Sequence, residues 1–531
     1  MTVDEIWCIN RGMTGRGAVA AGHPETAGAA ADVLRDGGNA FDAALAAMCV
    51  ACVTEPVLAS LGGGGFLTAH PAGGSPVVYD FFPQTPINSR PEADIDFFPI
   101  TADFGPAQQE FHIGMGSMAT PGMVRGLTRI QKDLGSMPLS RIVESVVNLA
   151  RNGVEVNRLQ AYVLGVVEVI CTHNEDCLRA YGSSRVPGKT AQAGEVLTFP
   201  EMADTFEALA REGEDLFYRG DIAATLVADS QTRGGLLEAA DLDAYQVELR
   251  HPLKSAFAGA TIYTNPPPSV GGMLIAFGSE LLKNGVLEGL EFGSAAYLER
   301  LARVMTNTQK ARIESKLHEM APENAARDFL RPELVDAYRG GVLGHPAATR
   351  GTTHISVIDA AGNAAGVTVT NGEGAAYIIP GTGIMMNNML GEEDINPQGF
   401  HRWPRDVRLS SMMAPSIVQH DNGWTQVMGS GGSNRIRTAM LQVLVNQLAF
   451  GMNPAQAVNA PRIHVEGDLV SVEAGFESAA VDTLERVCPR VERWDEINFF
   501  FGGAHCVRFD PRDRTFDGVG DPRRGGVFVK E

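Results

Sequence analysis

Apolar and polar positions change rhythm several times along this chain. Residues 18–58 read as a short strand followed by a long helical segment. His23-Pro24-Glu25-Thr26 offers a helix start, and Ala27 to Leu34 and Ala40 to Val53 are rich in helix formers, broken at Gly37-Gly38. After Gly62 to Gly65, an apolar stretch and Val77-Val78-Tyr79-Asp80 predict paired strands. Pro83 to Gln109 is polar, proline-bearing and aromatic, the composition of an irregular excursion. From Arg125 to Leu301 helical patterning dominates, interrupted by Thr261 to Gly272, where Pro266-Pro267-Pro268 must be extended. Beyond Gly351 the runs become short and β-rich: His354 to Ile358, Ala365 to Thr370, Ser416 to His420 and Thr425 to Met428. Thr438 to Phe450 then reads as a helix. Strands flanked by helices predict a layered α/β structure with enclosed sheets.

Composition narrows the partners. The 531 residues are 44% hydrophobic and 20% charged, in keeping with a globular chain. A formal net charge of −20 and the lack of basic blocks argue against nucleic acid or an anionic membrane as partner; Arg402, Arg405 and Arg408 form only a sparse group. Met1 to Arg16 carries Asp4 and Glu5 with no secretory apolar stretch, and the longest apolar run, Ala43 to Val53, is too short to span a bilayer. The expected location is therefore cytoplasmic. Seven scattered cysteines give no disulfide framework, and Cys49-x-x-Cys52, with no second pair, reads as buried helix.

Two stretches carry candidate chemistry. In Gly351-Thr352-Thr353-His354, a cut before Thr352 would free an α-amine beside the hydroxyl, converting a poor nucleophile into one with its own base. Gly351 leaves room for the hydroxyl to attack its own preceding carbonyl, although Thr-Thr-x-x-Ser is also ordinary strand sequence. Gly429-Ser430-Gly431-Gly432-Ser433 is a turn or an anion-facing loop, but lacks the G-x-x-x-x-G-K-[ST] phosphate pattern. Gly62 to Gly65 reads as close packing under the site. His318-Glu319 has no second histidine at H-E-x-x-H spacing, so neither metal nor cofactor is expected.

Taken in order, these stretches resemble the gamma-glutamyltranspeptidase family of N-terminal-nucleophile hydrolases. The likeness runs from His23-Pro24 and Gly37 to Ala44, through Glu55-Pro56, Gly62 to Phe66, Thr120-Pro121-Gly122 and Pro266 to Gly272, to Thr352-Thr353-His354. It continues with Asn387-Asn388, Leu409 to Met412, Gly429 to Arg435, Asn459 to Arg462 and Asp521-Pro522-Arg523. The resemblance implies a four-layer αββα sandwich made as one precursor, cut into a large piece, 1–351, and a small piece, 352–531. The two would stay associated as one domain. Thr352 would be nucleophile and base, Thr370 would hydrogen-bond it, and Thr353 would support it from the next position. Gly432 and Ser433 would supply oxyanion N–H groups, with Ser433 standing where the family has a second glycine. Ser410 and Ser411 would hold a substrate carboxylate, and a γ-glutamyl or similar acyl group would pass to water or an amine.

The substrate clamp departs from that pattern. Phe82, in Asp80-Phe81-Phe82-Pro83, stands where the family has a carboxylate-binding arginine; Gly372 and Met389 stand at amine-contacting positions, while Glu392 keeps the charge of the usual aspartate. Phenylalanine cannot imitate a bidentate arginine. Arg405 or Arg408 could substitute, or Glu373, Glu392 and Glu393 could bind the amine. The short Glu393 to Arg408 connection predicts a more open pocket. Two competing readings are a specialised hydrolase of another amide or a C–C bond, and an inactive binding relative.

Overall fold

The computed structural model describes residues 15–103, 108–339, 351–396 and 398–531; Arg350 and most of the amino-terminal stretch read above lie outside them. Two antiparallel sheets form the centre. The first runs in the order Val527–Lys530, Gly17–Ala21, Thr353–Asp359, Ala364–Thr370, Gly64–His70, Val77–Phe81, Glu248–Arg250. The second runs Thr515–Val519, Gly503–Asp510, Thr425–Gly431, Ser416–His420, Ala260–Thr264, Leu253–Phe257. Between them lies a small apolar layer that includes Ala18, Ala20, Ile358, Ile417, Val427 and Val507. Strand alternation sends the other faces outward, Ile355, Val357 and Val367 beneath one helical layer and Ile262, Val418 and Met428 beneath the other. The result is the αββα sandwich.

Local sequence explains how the key elements start and stop. Pro24 opens the helix Pro24–Arg35 behind a His23 cap, and Asn39 and Asp42 form a reciprocal capping box for Ala40–Thr54. Every residue of Ala40–Thr54 is buried, including Cys49 and Cys52. This apolar helix ends at Glu55, and so delivers a carboxylate into the interior. No helix of the described residues is long and apolar enough to cross a membrane.

Three sequence expectations need correction. The stretch Pro83 to Gln109 is not wholly irregular, since Phe98–Asp103 pairs with Gln108–Ile113. Its proline and aromatic content masked a hairpin. Strands Glu248–Arg250 and Leu253–Phe257 interrupt the region read as helical; they are edge strands, half exposed and short of apolar alternation. Gly429 to Gly431 is the end of a strand rather than a turn.

Near the carboxyl terminus a buried ion network ties the second sheet to the turn Pro522–Arg524. Asp521 meets Arg462 at 2.6 Å and Arg523 at 3.3 Å, and Arg523 meets Glu473 at 2.5 Å. Burial pushes the Asp521 carboxyl pKa up, but Arg462 and Arg523 outweigh it and hold it below the ordinary range. A depressed folded pKa stabilises above the unfolded value and is lost as pH falls below about 4. Asp521→Asn should therefore destabilise the fold by about 3–5 kcal/mol near neutrality and make the acid limb of a stability–pH curve shallower. Urea midpoints measured across pH check both.

Candidate functional site

Sheet register builds the site. Thr353 pairs with Val369, so one step further the chain sets Thr352 beside Thr370. Gly351 follows the same line, and its carbonyl accepts two hydroxyl hydrogen bonds, from Thr352 Oγ1 at 2.7 Å and Thr370 Oγ1 at 2.7 Å. On the other flank, the Gly351 N–H donates to Glu373 Oε1 at 2.9 Å. The Thr352 carbonyl accepts from Arg524 Nη1 at 3.1 Å. The Gly351–Thr352 peptide is therefore held at both ends.

The glycine stretch is dictated by this crowding. A Cβ on Gly429 would lie 2.3 Å from the His354 ring, and one on Gly431 only 2.0 Å from the Thr352 carbonyl oxygen. Gly432 turns the chain at φ 116°. Ser433 follows at φ 49°, a left-handed conformation that costs a non-glycine residue about 1–2 kcal/mol, and its hydroxyl donates to Asp394 Oδ2 at 3.2 Å. Among the described residues the Gly432 and Ser433 N–H groups have no protein acceptor, and they precede the amino end of the helix Arg435–Leu448.

His354 itself is not catalytic equipment. It is clamped between the sheets by Thr368 and Ser356, and burial lowers its pKa well below the usual value, so it is neutral.

One small pocket, about 30 Å³, collects Thr352, Thr370, Ser433, Ser411, Glu392, Phe82 and Met389 with Asp394, Met412 and Met413. With Gly351, which also lines it, eight residues singled out in the sequence thus converge. Others do not. Thr353 points away, because successive strand side chains alternate, and donates to Glu55 Oε2 at 2.6 Å. Gly372 sits behind the wall: a Cβ there would collide with Asn388 Oδ1 at 2.2 Å and Glu392 Oε1 at 2.3 Å. Ser410 faces a neighbouring cavity instead.

Neither arginine replaces the missing clamp. Arg408 is held by the Phe82 carbonyl, Tyr245, the Gln246 carbonyl and Asp80, and Arg405 donates to Ser89 at 2.6 Å on the surface. Glu393 is exposed, whereas Glu373 and Glu392 are buried. Where an arginine was expected, Phe82 stacks on Phe66 with ring centroids 5.3 Å apart. The more open space predicted from the short Glu393 to Arg408 connection lies beside the Thr352 pocket, not over it.

Sequence reasoning gave no role to Arg524, Asp394 or Glu55. Glu55 accepts from Thr353 and from Thr26; burial raises its pKa, partly offset by those hydroxyls and by Arg524. Arg524 packs 3.8 Å from the centre of the Phe499 ring, and burial lowers its pKa to about 10 against the pull of Asp521 and Glu55. The doubled Arg523-Arg524 and the acidic run Glu392-Glu393-Asp394 were the available signals. No group of three or more His, Cys, Asp or Glu among the described residues could hold a metal ion.

Sandwich and site together define an N-terminal-nucleophile hydrolase. The chain belongs to the gamma-glutamyltranspeptidase family, whose pattern it matches over residues 26–530. It is 30% identical to a glutathione hydrolase proenzyme of Escherichia coli, across 93% of this chain and 88% of the relative. It is 28% identical to an acylase proenzyme of a Pseudomonas species, across 99% and 96%. A cephalosporin acylase structure from Bacillus halodurans superposes with a TM-score of 0.83 at 22% identity, over 98% of this chain and 97% of that one.

Removing the Arg524 fork takes a charged donor from the Thr352 carbonyl, a loss of about 1.5–3 kcal/mol. Arg524→Ala should accordingly slow the self-cleavage expected at Gly351–Thr352 by roughly 10- to 100-fold. Time courses on denaturing gels measure it, with circular dichroism confirming the fold.

Proposed function

We propose that the chain cuts itself between Gly351 and Thr352, then uses the new terminus as an amide hydrolase or acyltransferase for donors with an apolar acyl group. Cleavage begins with attack of Thr352 Oγ1 on the Gly351 carbonyl carbon. The hydroxyl proton passes to the departing amide nitrogen, leaving an ester. Water then opens the ester, giving a Gly351 carboxylate and a Thr352 with free hydroxyl and amine. Support comes from the two hydroxyls on the Gly351 carbonyl and the anchors on either side of the bond.

In turnover the Thr352 amine takes the hydroxyl proton as Oγ1 attacks the donor carbonyl. Charge develops on the carbonyl oxygen, and the Gly432 and Ser433 N–H groups would be the donors that meet it; losing one such donor in comparable sites costs about 2.7–4 kcal/mol. The donor's amine leaves with a proton, and the Thr352 ester passes its acyl group to water or to another amine.

The observation that carries the choice of donor is Phe82. With Met389, Met412 and Met413 it gives the nucleophile pocket an apolar wall, and both candidate arginines are engaged elsewhere. Relatives named as acylases fit a family machinery turned to more than one acyl group. Glu392 favours a second reading, a γ-glutamyl donor whose ammonium it would meet.

Thr352→Ala should remain a single chain of 531 residues by intact mass and release nothing from any amide; two fragments from that variant would end the proposal. Wild-type turnover should rise with pH through about 7.7–8.0, because only the neutral amine accepts the hydroxyl proton. Nitroanilide assays should show apolar acyl donors ahead of the γ-glutamyl one, with Phe82→Arg shifting the preference toward γ-glutamyl by about tenfold or more. Faster γ-glutamyl release by the wild type would establish the second reading instead.

A further inference from the structure

Next to the nucleophile pocket lies a much larger cavity, about 410 Å³. Val270 and Met273, at the start of the helix Gly271–Leu281, form one side; Leu317, Met320 and Ala325 form another, and Trp403 closes a third. Its size falls within the range of small-molecule sites, about 300–1,000 Å³. The nucleophile pocket, at about 30 Å³, has room for little more than the reacting carbonyl. A third pocket, on the far side of Gly351 and lined by Leu58, Tyr162 and Val163, offers only about 20 Å³.

The large cavity and the nucleophile pocket are neighbours along one wall. Ile395 lines both. In the run Leu409 to Met412, the first two residues line the cavity and the next two line the nucleophile pocket. Ser410 and Ser411 thus mark where the two adjoin, on the side toward which an acyl group on Thr352 would extend.

The charged groups bordering the cavity are already engaged. Arg408 is committed to backbone carbonyls, Tyr245 and Asp80. Glu319 pairs with Lys316 at 3.2 Å and is half exposed to solvent. His318 contacts Glu319 at 3.7 Å, and desolvation lowers its pKa, which favours the neutral ring. Asn396 spends its amide on the Met389 and Glu392 carbonyls. An apolar group gains on entry, whereas an anionic one would give up its hydration for little beyond the Arg408 Nε, which makes no hydrogen bond, and would face the unpaired Asn396 Oδ1.

We propose that this cavity binds the distal part of the acyl donor and selects an uncharged end, an aromatic ring or an alkyl chain. The assignment rests on the acyl-transfer reading given above and adds the identity of the acyl end and the place where it binds.

The test uses the mature enzyme and a series of nitroanilides: acetyl, hexanoyl, phenylacetyl and the anionic glutaryl. Phenylacetyl and hexanoyl should exceed acetyl and glutaryl in kcat/KM by about tenfold or more, mainly through KM. Ala325→Trp fills the cavity and should bring the phenylacetyl-to-acetyl ratio close to one. Because a tryptophan there could disturb folding, Trp403→Ala provides a second variant, expected to lower the same ratio while the chain still cleaves itself. Equal wild-type rates across the series, or a ratio untouched by both variants, would overturn the assignment. So would an enzyme whose variants discriminate only among amine halves of acetyl amides. Release from none of the anilides by a correctly cleaved enzyme would remove the acyl-transfer reading itself, and the cavity assignment with it.

Discussion

The close approach of two backbones, Thr352 on one sheet and Gly431 on the other, governs the rest of this molecule. There is no room between the Thr352 carbonyl and Gly431 for even one methyl group. That contact explains why the strand Thr425–Gly431 must end in small residues and why the turn after it is left-handed twice, at Gly432 and Ser433. It also bears on where the Thr352 carbonyl finds a hydrogen-bond donor. The oxygen cannot take a ladder partner across such a gap, and Arg524 reaches it from the carboxyl-terminal turn.

Burying Arg524 is expensive, because moving a guanidinium out of water costs far more than one hydrogen bond returns. The protein offsets this with carboxylates at two distances. Asp521 belongs to the same turn and is fixed by Arg462, Arg523 and the Ala504 N–H. Glu55 comes from the end of an entirely buried helix on the opposite side of the first sheet. The amino-terminal helical layer, the threonine strand and the carboxyl-terminal turn thus meet through one chain of charges and hydroxyls: Thr26, Glu55, Thr353, then Arg524 and Asp521. Its members lie in three distant parts of the chain, and it joins them at Thr352.

Much of this was legible in the sequence because strand alternation and glycine crowding leave direct marks. The strands after Gly351, the helix Ala40–Thr54 and the buried Cys49 and Cys52 follow from pattern alone. Thr352 was picked out by its own chemistry and Thr370, Ser411, Glu392, Phe82 and Met389 by resemblance; with Ser433 of the glycine stretch they share one pocket. What escaped had physical reasons. Thr353 was paired with the nucleophile by adjacency, although a strand sends neighbours to opposite faces. Gly372 was read as a lost contact, yet its missing side chain makes room for Asn388 and Glu392. Arg408 looked available because charge is visible in a sequence while the carbonyls that absorb it are not. Arg524 was missed for the same reason, since its partner is a main-chain oxygen 172 positions away.

Reaction and recognition are built from different material here. The groups around the Gly351–Thr352 bond belong to paired strands and to the tight turn that follows one of them, where a shift of one residue would move every side chain to the other face. The groups that would meet a donor lie elsewhere: Phe82 just past the end of Val77–Phe81, and Met389 to Met412 in connections of short helical turns and coil. Connections accept substitution without disturbing register. Phe82 can thus vary, and Arg408 be tied down by Asp80 and Tyr245, while Thr352, Thr370 and the glycine turn keep their geometry. The constraint at Gly431 fixes the chemistry; nothing comparable fixes the acyl group on which it acts.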